Sequence, residues 1–274
     1  MELFIIDKIA FLGPEGTFTH EAASKITNNL ISYCSIPAVM ESIQSNKHLK
    51  GIVPIENSIE GPVGITLDSL IHKFDLKING EIILPINHHL LGKSADNLLT
   101  ITDVYSHPQA LAQCQSFIND NKFRTHHALS TASAAKNILT MDNSGAIGTS
   151  KAAELYDLEI IKSNIQDADN NQTRFIILAK NDHEITGFDK TSIAFSIFED
   201  YPGQLYNILG IFAKNNINLT KIESRPSKEG LGKYVFFIDF LGHRNNKNIK
   251  KILYEINNKT PFTKVLGSYP INKY

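Results

Sequence analysis

The chain has 274 residues, 42% hydrophobic and 20% charged, with Lys+Arg 27 against Asp+Glu 28 and a formal net charge of -1. That apolar content supports real cores and excludes long disorder, and the length suits two domains or one large one. The charge balance excludes a general electrostatic pull toward nucleic acid or an anionic membrane.

Two cysteines, Cys34 and Cys114, cannot build a disulfide framework, which points to a reducing cytosol. The stretch Met1–Lys8 carries no basic n-region, and no run approaches the ~20 apolar residues of a membrane span. The expectation is a soluble cytoplasmic globular protein.

Residues 8–180 read as strand–helix units. Strand Lys8–Leu12 ends at Gly13-Pro14, and a helix follows over Thr17–Thr27. Strand Leu30–Cys34, helix Ala38–Ser45, strand Lys50–Ile55 and helix Val63–His72 come next. Glu81–Leu91, rich in Ile and Leu, reads as one extended crossing strand. The alternation resumes with strand Asp103–Ser106, helix Gln109–Ile118, strand Phe123–His127 and helix Thr131–Thr140. Strand Gly145–Ile147, a helix from Ser150, strand Leu158–Ile161 and the buried strand Thr173–Ala179 complete this part. Such alternation predicts parallel sheets, in two lobes joined by the 81–91 run and a return near 162–172.

Asn181–Lys190 has linker composition. Beyond it the pattern becomes strand Ser192–Phe198, helix Gly203–Lys214, strand Ile217–Glu223, strand Lys233–Leu241, helix Asn248–Asn257 and strand Thr263–Tyr269. This βαββαβ order in about 80 residues predicts a ferredoxin-like unit.

Polar residues gather at strand ends, where open α/β sheets bind ligands. Glu56-Asn57-Ser58 lies between a buried strand and a helix, and either receives a small anion on free N–H groups or simply caps the helix. Gly13–His20 offers Thr17 at a helix start, without a phosphate-loop pattern. In Ser106-His107-Pro108-Gln109, Ser106 is placed to cap; His107 is a possible general acid but reads better as structural. Gly148-Thr149-Ser150 is another hydroxyl-bearing helix start. Arg174, beside an apolar run, needs a carboxylate partner, either structural or on a substrate. The pairs His88-His89 and His126-His127 lie in predicted strands, so neither chelates a metal by itself, and no zinc spacing exists. The residues alone predict a cleft lined by hydroxyls and amides for a small anion.

These segments resemble the prephenate dehydratase family. The resemblance runs from about Ile9 to Tyr269, through FLGPEGTFTHEAA at 11–23, GIVPIENSIEGPVGITLD at 51–68, YSHPQALAQC at 105–114 and NQTRF at 171–175. PGQLYNILGIF at 202–212 and NLTKIESRPSKEGLGKYVFFIDFLGH at 218–243 resemble the family's regulatory ACT domain.

The resemblance implies a two-lobed α/β catalytic domain, like type II periplasmic binding proteins, over 1–184. Its lobe 1 would be about 1–80 and 165–184 and its lobe 2 about 81–164, followed by an α+β ferredoxin-like ACT domain over 190–274. It implies conversion of prephenate to phenylpyruvate, without metal or cofactor, under feedback by L-phenylalanine, in a homodimer or homotetramer. No chorismate mutase helices are read before Ile9. Arogenate dehydratase would leave the same motifs, and a non-catalytic small-anion binder the same two-lobed fold.

The family's critical threonine falls on Thr173, with Asn57, Ser106 and Gln113 as orienting donors. Glu56 is an alternative acid if burial raises its pKa. Thr17, Ser58, Thr149, Ser150 and Arg174 are physical additions for carboxylate binding. Gly203, Leu205, Asn218, Leu219, Glu223, Ser224, Arg225 and Pro226 are implied for the effector. Gln204 stands where the family commonly has alanine, which puts effector preference in question.

Overall fold

A computed structural model describes residues 8–46, 49–93, 97–198 and 201–271; the stretch 1–7, read above for a leader, lies outside the described residues. The elements run β1 (Ile9–Leu12), α1 (Phe18–Ser24), β2 (Leu30–Tyr33), α2 (Ile36–Ser45), β3 (Lys50–Asn57), β4 (Gly61–Pro62), α3 (Gly64–His72) and β5 (Lys77–Pro85). Then come β6 (His89–Gly92), β7 (Asp103–Ser106), α4 (Pro108–Ala112), α5 (Gln115–Asp120), β8 (Arg124–His127), α6 (Thr131–Asn137), β9 (Ser144–Gly148), α7 (Ser150–Tyr156) and β10 (Glu159–Lys162). The chain closes with β11 (Gln172–Ala179), β12 (Asp189–Ser196), α8 (Gln204–Lys214), β13 (Leu219–Pro226), β14 (Tyr234–Leu241), α9 (Lys247–Lys259) and β15 (Thr263–Pro270).

The chain divides into two compact units. The first comprises Met1–Ser35, Asn57–Glu60 and Leu84–Thr173. The second comprises Ile36–Glu56, Gly61–Ile83 and Arg174–Tyr274.

In the first unit β1 pairs in parallel with β2, with Ile9 opposite Leu30. Ala10 and Phe11 are fully buried. α1 is shorter than the predicted Thr17–Thr27. Thr17 caps its start by accepting the His20 N–H, and the Lys25 N–H turns back to the carbonyls of Ala22 and Ala23.

A second sheet has the order β10-β6-β9-β7-β8. β7 is parallel to β8 and β9, but β6 runs antiparallel to β9 and β10. The sheet is therefore mixed, where strand–helix alternation predicts a parallel one. The 81–91 run, moreover, is two strands rather than one. Between them the Ile86 N–H turns to the Asn171 carbonyl at 2.8 Å and the His88 N–H to Gln166 Oε1 at 3.0 Å.

The predicted helix Gln109–Ile118 also breaks in two. Cys114 leaves helical geometry, with φ -124° and ψ 25°. Gln113 ends α4, and its carbonyl accepts the Asp167 N–H at 2.8 Å.

In the second unit β11 lies between β3 and β5, and β4 pairs with β3. The C-terminal strands form the sheet β13-β14-β12-β15, antiparallel throughout. Its apolar side packs Phe195, Ile238 and Phe240 against Ile208 and Phe212 of α8 and Ile252 and Ile256 of α9. The predicted βαββαβ order is present. Its first strand starts at Asp189 rather than Ser192, so the end of the predicted linker is buried sheet.

A charged cluster is buried in this unit. Arg174 donates from Nε to Glu81 (2.7 Å), from Nη1 to Glu56 (2.9 Å) and Asp239 (2.6 Å), and from Nη2 to the Tyr269 hydroxyl (2.7 Å). Lys190 donates to both Glu81 oxygens, and Lys221 to Glu56. Such charges are tolerated inside only when paired.

Candidate active site

β3 ends in Glu56 and Asn57, and the chain turns at once. Asn57 Oδ1 accepts the N–H groups of Ile59 and Glu60, both at 2.9 Å. This is an Asx turn, which asparagine favours because its side chain mimics a backbone acceptor. The Ser58 N–H goes to the Gln172 carbonyl at 2.8 Å. Helix α3 starts only at Gly64, and its cap, Val63, makes no side-chain bond. Both readings of this segment are thereby corrected: neither Asn57 nor Ser58 caps a helix, and the N–H groups at 58–60 are already occupied.

With Oδ1 on the backbone, Asn57 Nδ2 faces the segment 171–173. It lies 2.7 Å from Asn171 Oδ1, 3.1 Å from the Gln172 carbonyl and 2.9 Å from Thr173 Oγ1. Thr173 Oγ1 therefore accepts from Asn57. Its own proton has no acceptor among the described residues, and the hydroxyl is half-buried. The Thr173 hydroxyl is thus a donor awaiting an acceptor.

Asn171, 3% exposed, extends the chain by donating from Nδ2 to Gln113 Oε1 at 2.9 Å. Gln113 Nε2 lies 3.2 Å from Glu60 Oε1, and His88 Nε2 lies 3.0 Å from Gln113 Oε1. Three predicted site residues, Asn57, Gln113 and Thr173, thus share one hydrogen-bonded cluster within the first unit. Asn171 and His88 belong to it as well. Sequence reasoning passed over Asn171 despite its place in the NQTRF motif. It considered His88 only as a metal ligand.

The other predicted hydroxyls have given their single proton to the main chain. Ser106 donates to the Ile147 carbonyl (2.6 Å), Thr149 to Gly16 (2.7 Å), Thr17 to Pro14 (2.9 Å) and Ser58 to Asn170 (3.0 Å). A carboxylate accepts hydrogen bonds only, so these four offer it no proton as they stand. Ser150 opens α7 and is exposed. Ser106 does not cap α4; His107 does, accepting the Gln109 N–H on Nδ1 at 3.3 Å.

Glu56 and Arg174 belong to the other cluster. Consecutive residues of a strand project to opposite faces, so 56 and 174 bond to each other while 57 and 173 do likewise. Arg174, 7% exposed, has the protein carboxylates of Glu56, Glu81 and Asp239 as its partners. The expected rise in the Glu56 pKa is reversed. Burial pushes it up, but hydrogen bonds from Lys221 and Arg174 outweigh this and hold it below the ordinary carboxyl value.

Burial holds His88 below the ordinary histidine value, against a smaller opposing effect of its bond to Gln113. Burial likewise pushes the Cys114 thiol up to about 12, which leaves it inert as a nucleophile. Among the described residues no group of three or more His, Cys, Asp or Glu could hold a metal, and no helix is long and apolar enough to cross a membrane.

The residues implied for an effector all lie in the second unit. Gly203 caps α8 at φ +92°, a left-handed geometry that favours glycine, and its carbonyl accepts the Asn207 N–H. Leu205 packs on the domain core. The Asn218 carbonyl accepts from Leu241, and Leu219, Glu223, Ser224 and Pro226 lie on β13. Arg225 reaches α3, with Nε 3.0 Å from Asp68, and passes over Gly64, where any Cβ would meet its guanidinium.

Residues 9–183 match the family model described as prephenate dehydratase, and residues 197–258 match that of the ACT domain. The bifunctional chorismate mutase/prephenate dehydratase of Aquifex aeolicus is 46% identical over 96% of this chain and 73% of its own length. The solved structure of prephenate dehydratase from Arthrobacter aurescens in complex with L-Phe superposes with a TM-score of 0.87 at 32% identity, covering 96% of this chain and 90% of that one. GqqA, described as a novel type of quorum-quenching acylase, gives the same TM-score at 26% identity, covering 97% and 98%. The expected fold class, an α/β catalytic part followed by a ferredoxin-like ACT unit, is the one these matches support. On the family model, the relatives and the shared motifs together, this chain belongs to the prephenate dehydratase family and carries an ACT domain.

Proposed function

We propose that this protein converts prephenate to phenylpyruvate, with the Thr173 hydroxyl as the donor to the departing hydroxide. The observation that carries this reading is the 2.9 Å bond from Asn57 Nδ2 to Thr173 Oγ1. It makes Oγ1 an acceptor on one side and leaves its proton for the substrate on the other.

Prephenate is a dicarboxylate with a hydroxyl on a cyclohexadiene ring. The bond from the ring to its carboxylate breaks, CO2 leaves, and the electron pair enters the ring. The C–O bond across the ring breaks, and hydroxide departs with its own pair. The ring becomes aromatic, and one proton turns hydroxide into water. A neutral threonine is a poor acid, so Thr173 stabilises the leaving oxygen or relays a proton from water. Donation from Asn57 polarises its O–H for either task. Gln113 and Asn171 hold Asn57 in place. Ser106, Thr149, Thr17 and Ser58 shape the surrounding backbone, and Ser150 remains an exposed donor for a substrate carboxylate. Glu56 and Arg174 are assigned to the scaffold.

L-Phenylalanine is proposed as a feedback inhibitor acting through the ACT residues 203–226 in a homodimer. The ACT match and the Arthrobacter relative crystallised with L-Phe support this. Two free cysteines suit a reducing cytoplasm.

The test is incubation with prephenate, followed by phenylpyruvate absorbance, with arogenate in parallel and L-Phe as titrant. Phenylpyruvate formation that L-Phe suppresses is expected. A higher kcat/KM on arogenate would reassign the substrate, and turnover of neither would end the reading.

A further inference from the structure

The cluster around Asn57 has a direction, and the backbone sets it. The N–H groups of Ile59 and Glu60 can only donate, so the atom of Asn57 that meets them is Oδ1. Nδ2 must then face Asn171, which presents Oδ1 at 2.7 Å. Asn171 is left with Nδ2 toward Gln113, which presents Oε1 at 2.9 Å. Gln113 Nε2 faces the Glu60 carboxylate, an acceptor, at 3.2 Å. The remaining neighbour of Gln113 Oε1 is His88 Nε2 at 3.0 Å, and an oxygen there requires a donor. His88 must carry its proton on Nε2. Its Nδ1 is then a bare lone pair, buried and without a partner among the described residues.

We propose that His88 is a positioning residue for the reaction: its Nε2–H holds the Gln113 amide and, through Gln113 and Asn171, steadies the place of the Asn57 Nδ2 that donates to Thr173, an orientation the Ile59 and Glu60 N–H groups set. The inference rests on the dehydratase reading for its chemistry and on hydrogen-bond geometry alone for its structure.

Two features of His88 fit this role better than simple packing. The residue is 3% exposed, yet one ring nitrogen has no partner. A buried unsatisfied acceptor is unfavourable, and an apolar residue of similar size would avoid it. The edge-on contact with Phe18, centroids 5.3 Å apart, fixes the ring plane and hence the direction of Nε2–H. Without that donor the Gln113 amide keeps only its bonds to Asn171 and Glu60, and the half-turned orientation, which sets nitrogen against nitrogen at Asn171 and oxygen against the Glu60 carboxylate, is opposed less strongly.

The test has one arm that needs no substrate. Nitrogen-15 spectra of histidine-labelled protein near neutral pH should show His88 neutral and protonated at Nε2. Protonation at Nδ1 would overturn the proposal. The side-chain amide signals of Asn57 and Gln113 should shift in His88→Leu and return toward wild type in His88→Gln, whose Nε2–H2 can occupy the same place. Unmoved amide signals in His88→Leu would overturn it too.

In the kinetic arm, His88→Leu should lower kcat on prephenate about 10- to 100-fold with KM changed less than about threefold. His88→Gln should recover most of that loss. In a Gln113→Ala background His88→Leu should cost less than about twofold more, since both act through one amide. Equal damage by Leu and Gln, or additive loss with Gln113→Ala, would reduce His88 to a packing residue. Should His88→Leu not fold, His88→Met takes its place. If the wild-type enzyme fails to turn over prephenate, the dehydratase reading falls, and the spectra alone decide the placement of the chain.

Discussion

Asn57 and Thr173 meet at 2.9 Å although 116 positions separate them in the chain, and the amide is the donor. The bond decides which way the threonine proton points. Thr173→Ala removes that proton, and kcat should fall about 10²- to 10³-fold, the usual effect of losing one donor to a departing or developing oxyanion. Thr173→Ser keeps the hydroxyl and should retain most of the rate. Steady-state kinetics on prephenate, with the thermal midpoint as a control for folding, checks both. A Thr173→Ala enzyme of normal kcat would take the residue out of the mechanism.

Asn57→Asp replaces the donor facing Thr173 by an acceptor. The carboxylate then competes for the threonine proton and also repels Asn171 Oδ1, 2.7 Å from Nδ2 in the wild type. Turnover should fall by about 10²-fold or more. Asn57→Ala additionally removes the acceptor of the exposed Ile59 and Glu60 N–H groups, at a net cost of about 0.5–1.5 kcal/mol per bond. Urea midpoints for the two variants should separate them, with Ala the less stable.

Arg174→Met leaves Asp239, 0% exposed, without its guanidinium, while Glu81 keeps Lys190. Uncompensated buried charge of this kind costs about 3–5 kcal/mol. Chemical denaturation should show a loss of that order. Glu56→Gln, by contrast, should lower kcat far less than Thr173→Ala does, because Glu56 lies in the charged cluster and not beside the reacting hydroxyl.

Acid should weaken the fold in two stages. Burial holds His20, His88 and His89 below the ordinary histidine value of 6.5. Folding then binds fewer protons than the unfolded chain, so their stabilising effect is complete above pH 6.5 and is lost as pH falls below it. Glu56 is depressed below 4.5, so its share persists above pH 4.5 and disappears as pH falls through the folded value. Thermal midpoints from pH 8 to 3 should decline first below about 6.5 and again below about 4.5. A midpoint flat from pH 8 to 5 would refute the histidine stage.

Arg225 pairs with Asp68 of α3 across 3.0 Å, with both side chains partly buried. A pair of this exposure stabilises by up to about 1 kcal/mol. If its task is to hold β13 to α3, Asp68→Asn and Arg225→Ala should shift half-inhibition by L-Phe alike. A shift seen only with Arg225→Ala would place Arg225 on the effector itself. L-Phe titrations of both variants decide between these outcomes.

Much of this protein was legible in the order of its residues. Apolar runs at period two and apolar faces at helical spacing placed almost every strand and helix, because those periodicities are properties of local backbone geometry. The change to βαββαβ order marked the ACT unit, and the PIENS and NQTRF motifs marked the site.

Tertiary structure decided the rest. The 81–91 run is two strands because the Ile86 and His88 N–H groups bond to the distant residues Asn171 and Gln166. Glu56 and Arg174 stand beside Asn57 and Thr173 in the chain and bond to different partners, because strand neighbours face opposite ways. Of the six candidate threonine and serine residues, the structure separates Thr173, with its proton unassigned, from four whose protons bind the main chain. No local pattern encodes that difference. A hydroxyl's role depends on which acceptor lies within hydrogen-bond distance, and for Ser58, Ser106 and Thr149, unlike Thr17 with its local Pro14 carbonyl, that acceptor is supplied by a remote part of the chain only once the protein has folded.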